Sequence, residues 1–362
     1  MATDAAATAR DALAERLFGA ALGAYEVLTV HLGDRLGLYR ALAAGAATPA
    51  EVAAAAGVAD RYAREWLEQQ AVAGILGVED VTAPEDERRY SLPPGHADVL
   101  IDPDSPAYTT PMARFAASFA SVLPALEDAY RSGDGVPWEA FGPVGRHAQA
   151  EANRPIFGHL VGAEWLPAIA DVHERLLADP PARVADVACG AGWSSIAVAR
   201  AYPEVRVDGF DLDAEAIEMA RGHAAEAGVD DRVTFHAREG GAAEPAEPYD
   251  LVTVFEAIHD LPRPVEVLAS MRRLAGAEGA VLVVDERVAD TFTAPGDEVE
   301  RLMYTYSVLC CLPVGLSETP SAATGTVMRT DTLRRYAREA GFSHVEVLPI
   351  EHEVFRLYRL RS

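Results

Sequence analysis

From Arg183 to the C-terminus, short apolar runs alternate with amphipathic ones, and this alternation constrains the fold more than any other feature. Residues 183–188, 205–210, 233–236, 249–255 and 280–284 have the length and the β-branched content of buried strands. Residues 194–202 and 214–227 between them carry helical spacing. Strands joined by a helix run parallel, through right-handed crossovers. The ending differs: after a helix over 332–340, strands at 345–348 and 354–360 are separated by only a few residues. So short a connection makes them antiparallel. The spacing therefore predicts an α/β fold with a seven-stranded, doubly wound sheet ending in an antiparallel hairpin.

The first half reads differently. Leu13, Leu17, Phe18 and Leu22 fall at helical spacing in an alanine-rich segment, and Leu32, Leu36, Leu38 and Leu42 mark a further helix. Thr48-Pro49-Ala50-Glu51 fits an N-cap and a proline at N1, opening a second helix that ends near Gly57. Asp60 is expected to cap a third helix carrying Trp66, Leu67, Val72 and Ile75, and residues 79–91 suit a wing hairpin. Helix, helix, helix and hairpin is the winged-helix order. Three divisions are expected: a mainly helical, winged-helix-like or dimerisation domain over 1–95, a helical connector over 96–180 contributing to a pocket, and the sheet domain over 181–362. A single helix is expected over 156–177.

Composition narrows the function. The chain has 362 residues and a formal charge of −25, and all 31 of its basic residues are arginine. Lysine Schiff-base chemistry is therefore excluded. The first hundred residues hold fifteen acids against eight arginines. Phosphate contact needs a basic cluster, so neither nucleic acid nor an anionic membrane is the expected partner. Cys189, Cys310 and Cys311 have neither disulfide-framework nor zinc-knuckle spacing, and no metal site is expected. No apolar run reaches membrane-spanning length and no basic-then-apolar leader opens the chain, so a cytoplasmic setting is expected.

The strongest local signal is Asp186-Val-Ala-Cys189-Gly190-Ala-Gly192, a strand feeding a glycine turn that opens a helix. Glycines there let backbone approach a ligand closely. The rival dinucleotide fingerprint is incomplete, because Ser195 stands where its third glycine belongs. Asp211 ends the next strand, where an ionised carboxylate can accept from both hydroxyls of a ribose. Leu212 beside it suits one face of an adenine, and Glu239 after the third strand suits its amino group.

The run 184–221, with its Asp-x-x-Cys-Gly-x-Gly turn and Phe-Asp-Leu-Asp strand end, resembles the class I S-adenosylmethionine-dependent methyltransferases, whose sheet is Rossmann-like. The resemblance implies S-adenosylmethionine as cofactor, with Gly190 and Gly192 at its methionine moiety, Asp211 at ribose and Leu212 on adenine. It further implies that Asp186 supports the turn and approaches the methionyl amine, and that the Phe255 backbone lines the methionine site. Trp193 directly follows the turn and is a candidate wall of that site. Residues 32–39, with Arg64-Glu-Trp-Leu67 and Ala73-Gly-Ile-Leu76, resemble the winged-helix domain of bacterial small-molecule, natural-product-type methyltransferases. That likeness implies a homodimer and a small-molecule acceptor.

Methyl transfer is an in-line displacement that can require removal of an acceptor proton. His259 and Asp260 follow the fourth sheet strand and Asp285 ends the fifth, at the edge where open α/β sheets bind ligands. In the O-methyltransferases that the chain resembles, a His-Asp pair at this place carries the base and a carboxylate at the position of Asp285 supports it. Asp260 either orients the imidazole or caps the helix after Pro262. A further glutamate of those enzymes aligns with Val327, so the full base set is absent. His259 is thus either a general base or a residue that positions the acceptor. The expected function is methyl transfer to a small, apolar or aromatic metabolite. The alternatives are non-methylation chemistry on the same fold and a cofactor-sensing DNA-binding regulator. Met303, Tyr304, Tyr306 and Leu309 are candidate pocket residues, and Cys310 and Cys311 are read as helix packing.

Overall fold

The structure is a computed structural model that describes residues 2–241 and 247–362. The chain divides into two compact units, residues 1–120 with 143–155, and residues 121–142 with 156–362.

The first unit opens with the long helix α1 (Ala2–Arg35), then α2 (Leu38–Ala41), α3 (Pro49–Ala56) and α4 (Asp60–Val72). Thr48 and Glu51 form the full capping box of α3, the Thr48 side chain taking the Glu51 N–H and the Glu51 carboxylate the Thr48 N–H. Asp60 does not cap α4. It is the first helical residue, Ala59 holds the cap position, and no side chain bonds there. Strands β1 (Gly77–Val78) and β2 (Tyr90–Ser91) pair antiparallel, and α5 (His96–Leu100) follows. Leu38, Tyr39, Leu42, Val52, Trp66, Leu67 and Tyr90 form the core. Gly33 is required here: a Cβ on it would lie 2.3 Å from Trp66. Arg114 donates two hydrogen bonds to buried Asp34, at 2.6 and 2.9 Å, which ties helix α6 (Thr110–Ser132) to the end of α1.

The second unit holds the sheet. Its strands are β3 (Arg183–Val187), β4 (Arg206–Asp211), β5 (Val233–Ala237), β6 (Leu251–Phe255), β7 (Ala280–Glu286), β8 (His344–Val347) and β9 (Phe355–Arg361). They lie in the order β5-β4-β3-β6-β7-β9-β8, parallel from β5 to β7, with β9 antiparallel to both β7 and β8. The seven strands and the antiparallel end expected from the sequence are all present. Helix α8 (Ala170–Leu177), α9 (Trp193–Ala201) and α10 (Ala214–Ala227) share one apolar core with the sheet. Helices α11 (Pro264–Ala275) and α14 (Thr330–Glu339) share the other. Both faces of the parallel part are thus covered, which is why its central strands β6 and β7 read as nearly continuous apolar runs.

The helix expected over 156–177 is interrupted. Helix α7 (Gly142–Leu160) runs into a π turn at Val161–Trp165, and α8 begins only at Ala170. Gly162 lies in that turn, where a Cβ would come within 2.3 Å of Ala201 on α9. The turn brings Trp165 beside Phe157, Phe255 and Phe355, with ring centroids 6.0–6.5 Å from its own.

Strand order reverses at β3: the chain runs outward on one side of it to β4 and β5, then crosses back to β6 on its other side. In an open sheet this leaves a crevice at the strands' carboxyl ends. Between β7 and α14 the chain forms α12 (Glu298–Tyr306), a second π turn at Ser307–Cys311 and α13 (Leu312–Gly315). This insertion is pinned by Glu300, which is 3% exposed, accepts from the Ala289 N–H at 2.9 Å and pairs with Arg329 at 2.7 Å.

Candidate active site

Two groups of residues meet at the carboxyl edge of the sheet. The first lies over β3, β4 and β5. Asp186 is buried with every oxygen engaged: Ser194 and Ser195 donate to Oδ2 at 2.5 and 2.7 Å, and Thr253 donates to Oδ1 at 2.8 Å. Register explains the last bond, since Thr253 is the partner of Asp186 across the β3–β6 pair. Ser195, the residue that broke the dinucleotide fingerprint, is thus one of the donors that hold this acid. Asp186 bolts β3, α9 and β6 together, and the turn above it is fixed in place.

The two turn glycines do different things. Gly190 has φ +52° and a Cβ there would meet nothing within 4 Å, so that side of the turn is open. Gly192 has φ +83°, and a Cβ there would lie 2.6 Å from the Phe235 ring. Glycine at 190 leaves room for a ligand, whereas glycine at 192 is demanded by packing. Of the three described non-glycine residues with positive φ, Ala188 and Glu256 lie at this edge, at 55° and 51°. They directly follow β3 and β6, on either side of the strand-order reversal. Backbone strain of this kind collects at functional sites.

Asp211 accepts from the Gly190 N–H and the Asp213 N–H, both at 2.8 Å. Burial pushes its carboxyl above the ordinary range, and those backbone bonds offset part of the push. A carboxylate has about four acceptor positions, so it keeps capacity for a diol. Leu212 is 69% exposed although apolar, which leaves a bare aliphatic surface next to that carboxylate. Trp138, from the stretch between α6 and α7, donates to Asp213 at 3.2 Å. Trp193 is buried and stacks on His223, with centroids 4.4 Å apart. Glu239 is exposed, beyond the end of β5. Phe255 packs its ring on Phe157, 5.1 Å between centroids. An open glycine, a part-filled carboxylate and an uncovered leucine fit the turn, ribose and adenine of an adenosyl cofactor.

The second group lies at β6 and β7. His259 is 3% exposed, with Nδ1 2.8 Å from Asp285 Oδ1 and 2.8 Å from Glu286 Oε2. One N–H donates fully to one acceptor, and the geometry gives that bond to Asp285. Glu286 also donates its backbone N–H to Asp285 Oδ1, at 3.0 Å. Burial disfavours the imidazolium, but the Glu286 and Asp285 charges outweigh it and raise His259 well above the ordinary imidazole range. Burial raises Glu286 well above the usual carboxylate range, while the His259 charge holds Asp285 below it.

Asp260 neither holds Nδ1 nor caps α11, whose cap position is Arg263 with no side-chain bond. Burial pushes its carboxyl up to about 8. Donor atoms of His259, Asp260 and Cys311 lie within 4.8 Å of one another, as do those of His259, Asp285 and Glu286. With Nδ1 committed to Asp285, Nε2 is the ring atom left for the Cys311 side. Of the candidate pocket residues, Met303 is buried, and the Tyr304 hydroxyl accepts from Arg329 at 3.3 Å. Burial raises the Tyr306 phenol, with the Cys311 and Glu256 charges adding to it. Val327 brings no carboxylate. Glu286 stands on the imidazole instead, and sequence reasoning missed it, as it missed Cys311 and Thr326.

Residues 178–341 match a family described as a methyltransferase domain, and residues 24–101 a Rv2258c-like winged helix-turn-helix domain. The ubiquinone biosynthesis O-methyltransferase of Burkholderia pseudomallei is 30% identical over 185 residues, half of this chain and 72% of that one. Among solved structures, human N-acetylserotonin methyltransferase in complex with S-adenosylmethionine is similar with a TM-score of 0.72 at 19% identity, over 96% of this chain and 97% of that one. The mitomycin 7-O-methyltransferase MmcR is similar with a TM-score of 0.70 at 19% identity, over 98% and 99% of the two chains. With the glycine turn and strand-end acid in place, the domain match and the Burkholderia relative together show that this chain belongs to the S-adenosylmethionine-dependent methyltransferases, with a winged-helix domain before the catalytic one.

Proposed function

We propose that the chain methylates a hydroxyl of a small, apolar or aromatic metabolite, with His259 taking the hydroxyl proton. The observation that carries this is the buried imidazole at the end of β6, fixed through Nδ1 by Asp285 so that Nε2 is its working atom. Hydrogen bonding at one ring nitrogen sets the tautomer and direction of the other. The O-methyltransferase names of the relatives support oxygen as the acceptor atom.

In this reading the open side of Gly190 faces the methionine moiety, with Gly192 and Trp193 shaping the turn beneath it. The Phe255 backbone forms the floor. Asp211 takes the ribose diol, Leu212 covers adenine, and Glu239 accepts from the adenine amino group. Asp186 holds the turn rather than the ligand, since three hydroxyls already fill it. When bound, the sulfonium supplies an electrophilic methyl group. Asp285 and Glu286 hold His259 and balance its charge, and Asp260 lies on the acceptor side of the ring.

We further propose a cytoplasmic homodimer joined through α1, and a place in secondary metabolism. Leu13, Leu17, Phe18, Leu22, Tyr25, Leu28 and Leu32 are all exposed on α1, at the spacing of one helix face. All three cysteines are free, as suits a reducing compartment. Arg61 pairs with Glu65, and Arg64 with Glu85 and Asp86, so α4 offers no bare cationic face to a phosphate backbone. No helix among the described residues is long and apolar enough to cross a membrane.

The test is to supply S-adenosylmethionine labelled in its methyl group with a panel of phenols and apolar alcohols. Label should appear in an ether product. Consumption of an acceptor with no label in any product would instead mean other chemistry on the same fold.

A further inference from the structure

Cys311 takes no part in the reading above, although it borders the same imidazole. The residue ends the π turn that interrupts the helix between α12 and α13, and π turns recur at functional sites. Its sulfur lies within 4.8 Å of the His259 ring nitrogen and of an Asp260 carboxylate oxygen. Thr326 is 1% exposed, and its hydroxyl has no hydrogen-bond partner. The neighbouring Cys310 is itself buried. The Cys310 thiol, the His259 imidazole and the Thr326 hydroxyl all favour the ionised form of the Cys311 sulfur. Behind the imidazole stands Asp285, bonded to the opposite nitrogen. Nucleophile, base and orienting carboxylate in that order make an activated thiol. Cys189 offers the contrast, for burial pushes its thiol up and the Asp186 and Asp211 charges add to the push. Cys311 alone of the three cysteines is partly exposed.

We propose that Cys311 is a covalent modification site, a nucleophilic thiol activated by the His259–Asp285 pair, which soft electrophiles attack in preference to Cys189 and Cys310. The step balances simply with an alkyl halide. The sulfur forms a bond to the carbon, the carbon–halogen bond breaks, halide leaves, and the thiol proton goes to His259 and then to solvent. The adduct then sits against the imidazole that the acceptor needs, so modification also stops turnover. The inference stands apart from the acceptor chemistry, because the labelling needs neither cofactor nor acceptor.

Charges facing the sulfur decide its pH dependence. His259, the Cys310 thiol and the Thr326 hydroxyl favour the thiolate, while burial and the Asp260 carboxyl oppose it. Burial raises the Tyr306 phenol.

The experiment treats the full chain with substoichiometric iodoacetamide and locates the label by peptide mass mapping, at mildly acidic and at strongly alkaline pH. At acidic pH Cys311 should be labelled about tenfold or more faster than Cys189 or Cys310, since only a paired thiol is ionised there. His259→Gln should slow Cys311 by about tenfold at acidic pH and little at alkaline pH, where any thiol ionises unaided. Asp285→Asn, which keeps the ring, should give an intermediate loss, and far-ultraviolet circular dichroism confirms that each variant is folded. Cys311→Ser should leave whatever activity it has insensitive to the reagent. First labelling at Cys310 or Cys189, or an acidic rate unchanged in both His259→Gln and Asp285→Asn, overturns the proposal.

Discussion

Asp186 and Asp211 look alike in the sequence, each an aspartate at a strand end, and their hydrogen bonds separate them. Asp186 is filled by three hydroxyls, whereas Asp211 holds two backbone N–H groups and keeps room for a diol. Spacing located both acids but could not divide their work, because Ser194 and Thr253 reach Asp186 only once α9 and β6 fold against it. Glu286 was hidden for a different reason. Strand alternation puts neighbouring residues on opposite faces, so Asp285 and Glu286 were not expected on one imidazole. They meet there because β7 ends at Glu286. Cys311 was read as packing because it sits in an apolar run.

The two carboxylates have a kinetic consequence. An unperturbed imidazole titrates near about 6.5, but Glu286 and Asp285 hold His259 above that against the effect of burial. A general base works in its neutral form, so turnover should rise with pH through a midpoint above the ordinary imidazole value. Asp285→Asn removes one of the charges that favour the imidazolium, so the midpoint should fall. The pH–rate profile of the two proteins checks this. A midpoint that stays put or rises in the variant would show that His259 does not control the limb.

At the scale of elements, the strands were legible and the irregular helices were not. Residues 251–255 and 280–284 are almost wholly apolar because both sheet faces are covered, and that pattern survives in the sequence. The π turns at Val161–Trp165 and Ser307–Cys311 leave no comparable mark, since one extra residue per turn barely alters apolar spacing. Both matter, for one seats Trp165 against Phe255 and the other ends at Cys311. Helix α1 is the reverse case, where a visible stripe has no partner among its own unit's core residues. Its seven exposed apolar side chains should be covered by a second copy, as large bare patches rarely persist on monomers. Light scattering should give a dimer mass for the full chain. Removing residues 1–22, and with them Leu13, Leu17, Phe18 and Leu22, should yield monomer or aggregate. A full chain that stays monomeric at high concentration would contradict the assignment.

For the whole molecule, the account rests on a division of labour along one sheet edge. In the proposed reading the cofactor contacts lie over β3, β4 and β5 with the Phe255 backbone at the end of β6, while the proton-handling group lies after β6 and at β7. Alternation of elements made the doubly wound sheet legible in the sequence, whereas the strand order came only with the structure. The acceptor itself was not legible, because no local pattern records the shape of a pocket. The direct test is a crossed comparison of Asp211→Ala and His259→Ala, measuring S-adenosylhomocysteine affinity by calorimetry and methyl turnover on each. Asp211→Ala should lose about 1–3 kcal/mol of cofactor affinity, the cost of leaving polar partners unpaired. His259→Ala should keep wild-type affinity and lose roughly 10²–10⁴-fold in turnover. If His259→Ala loses affinity in step with turnover, or Asp211→Ala binds the cofactor as tightly as wild type, the two halves are not where this account puts them.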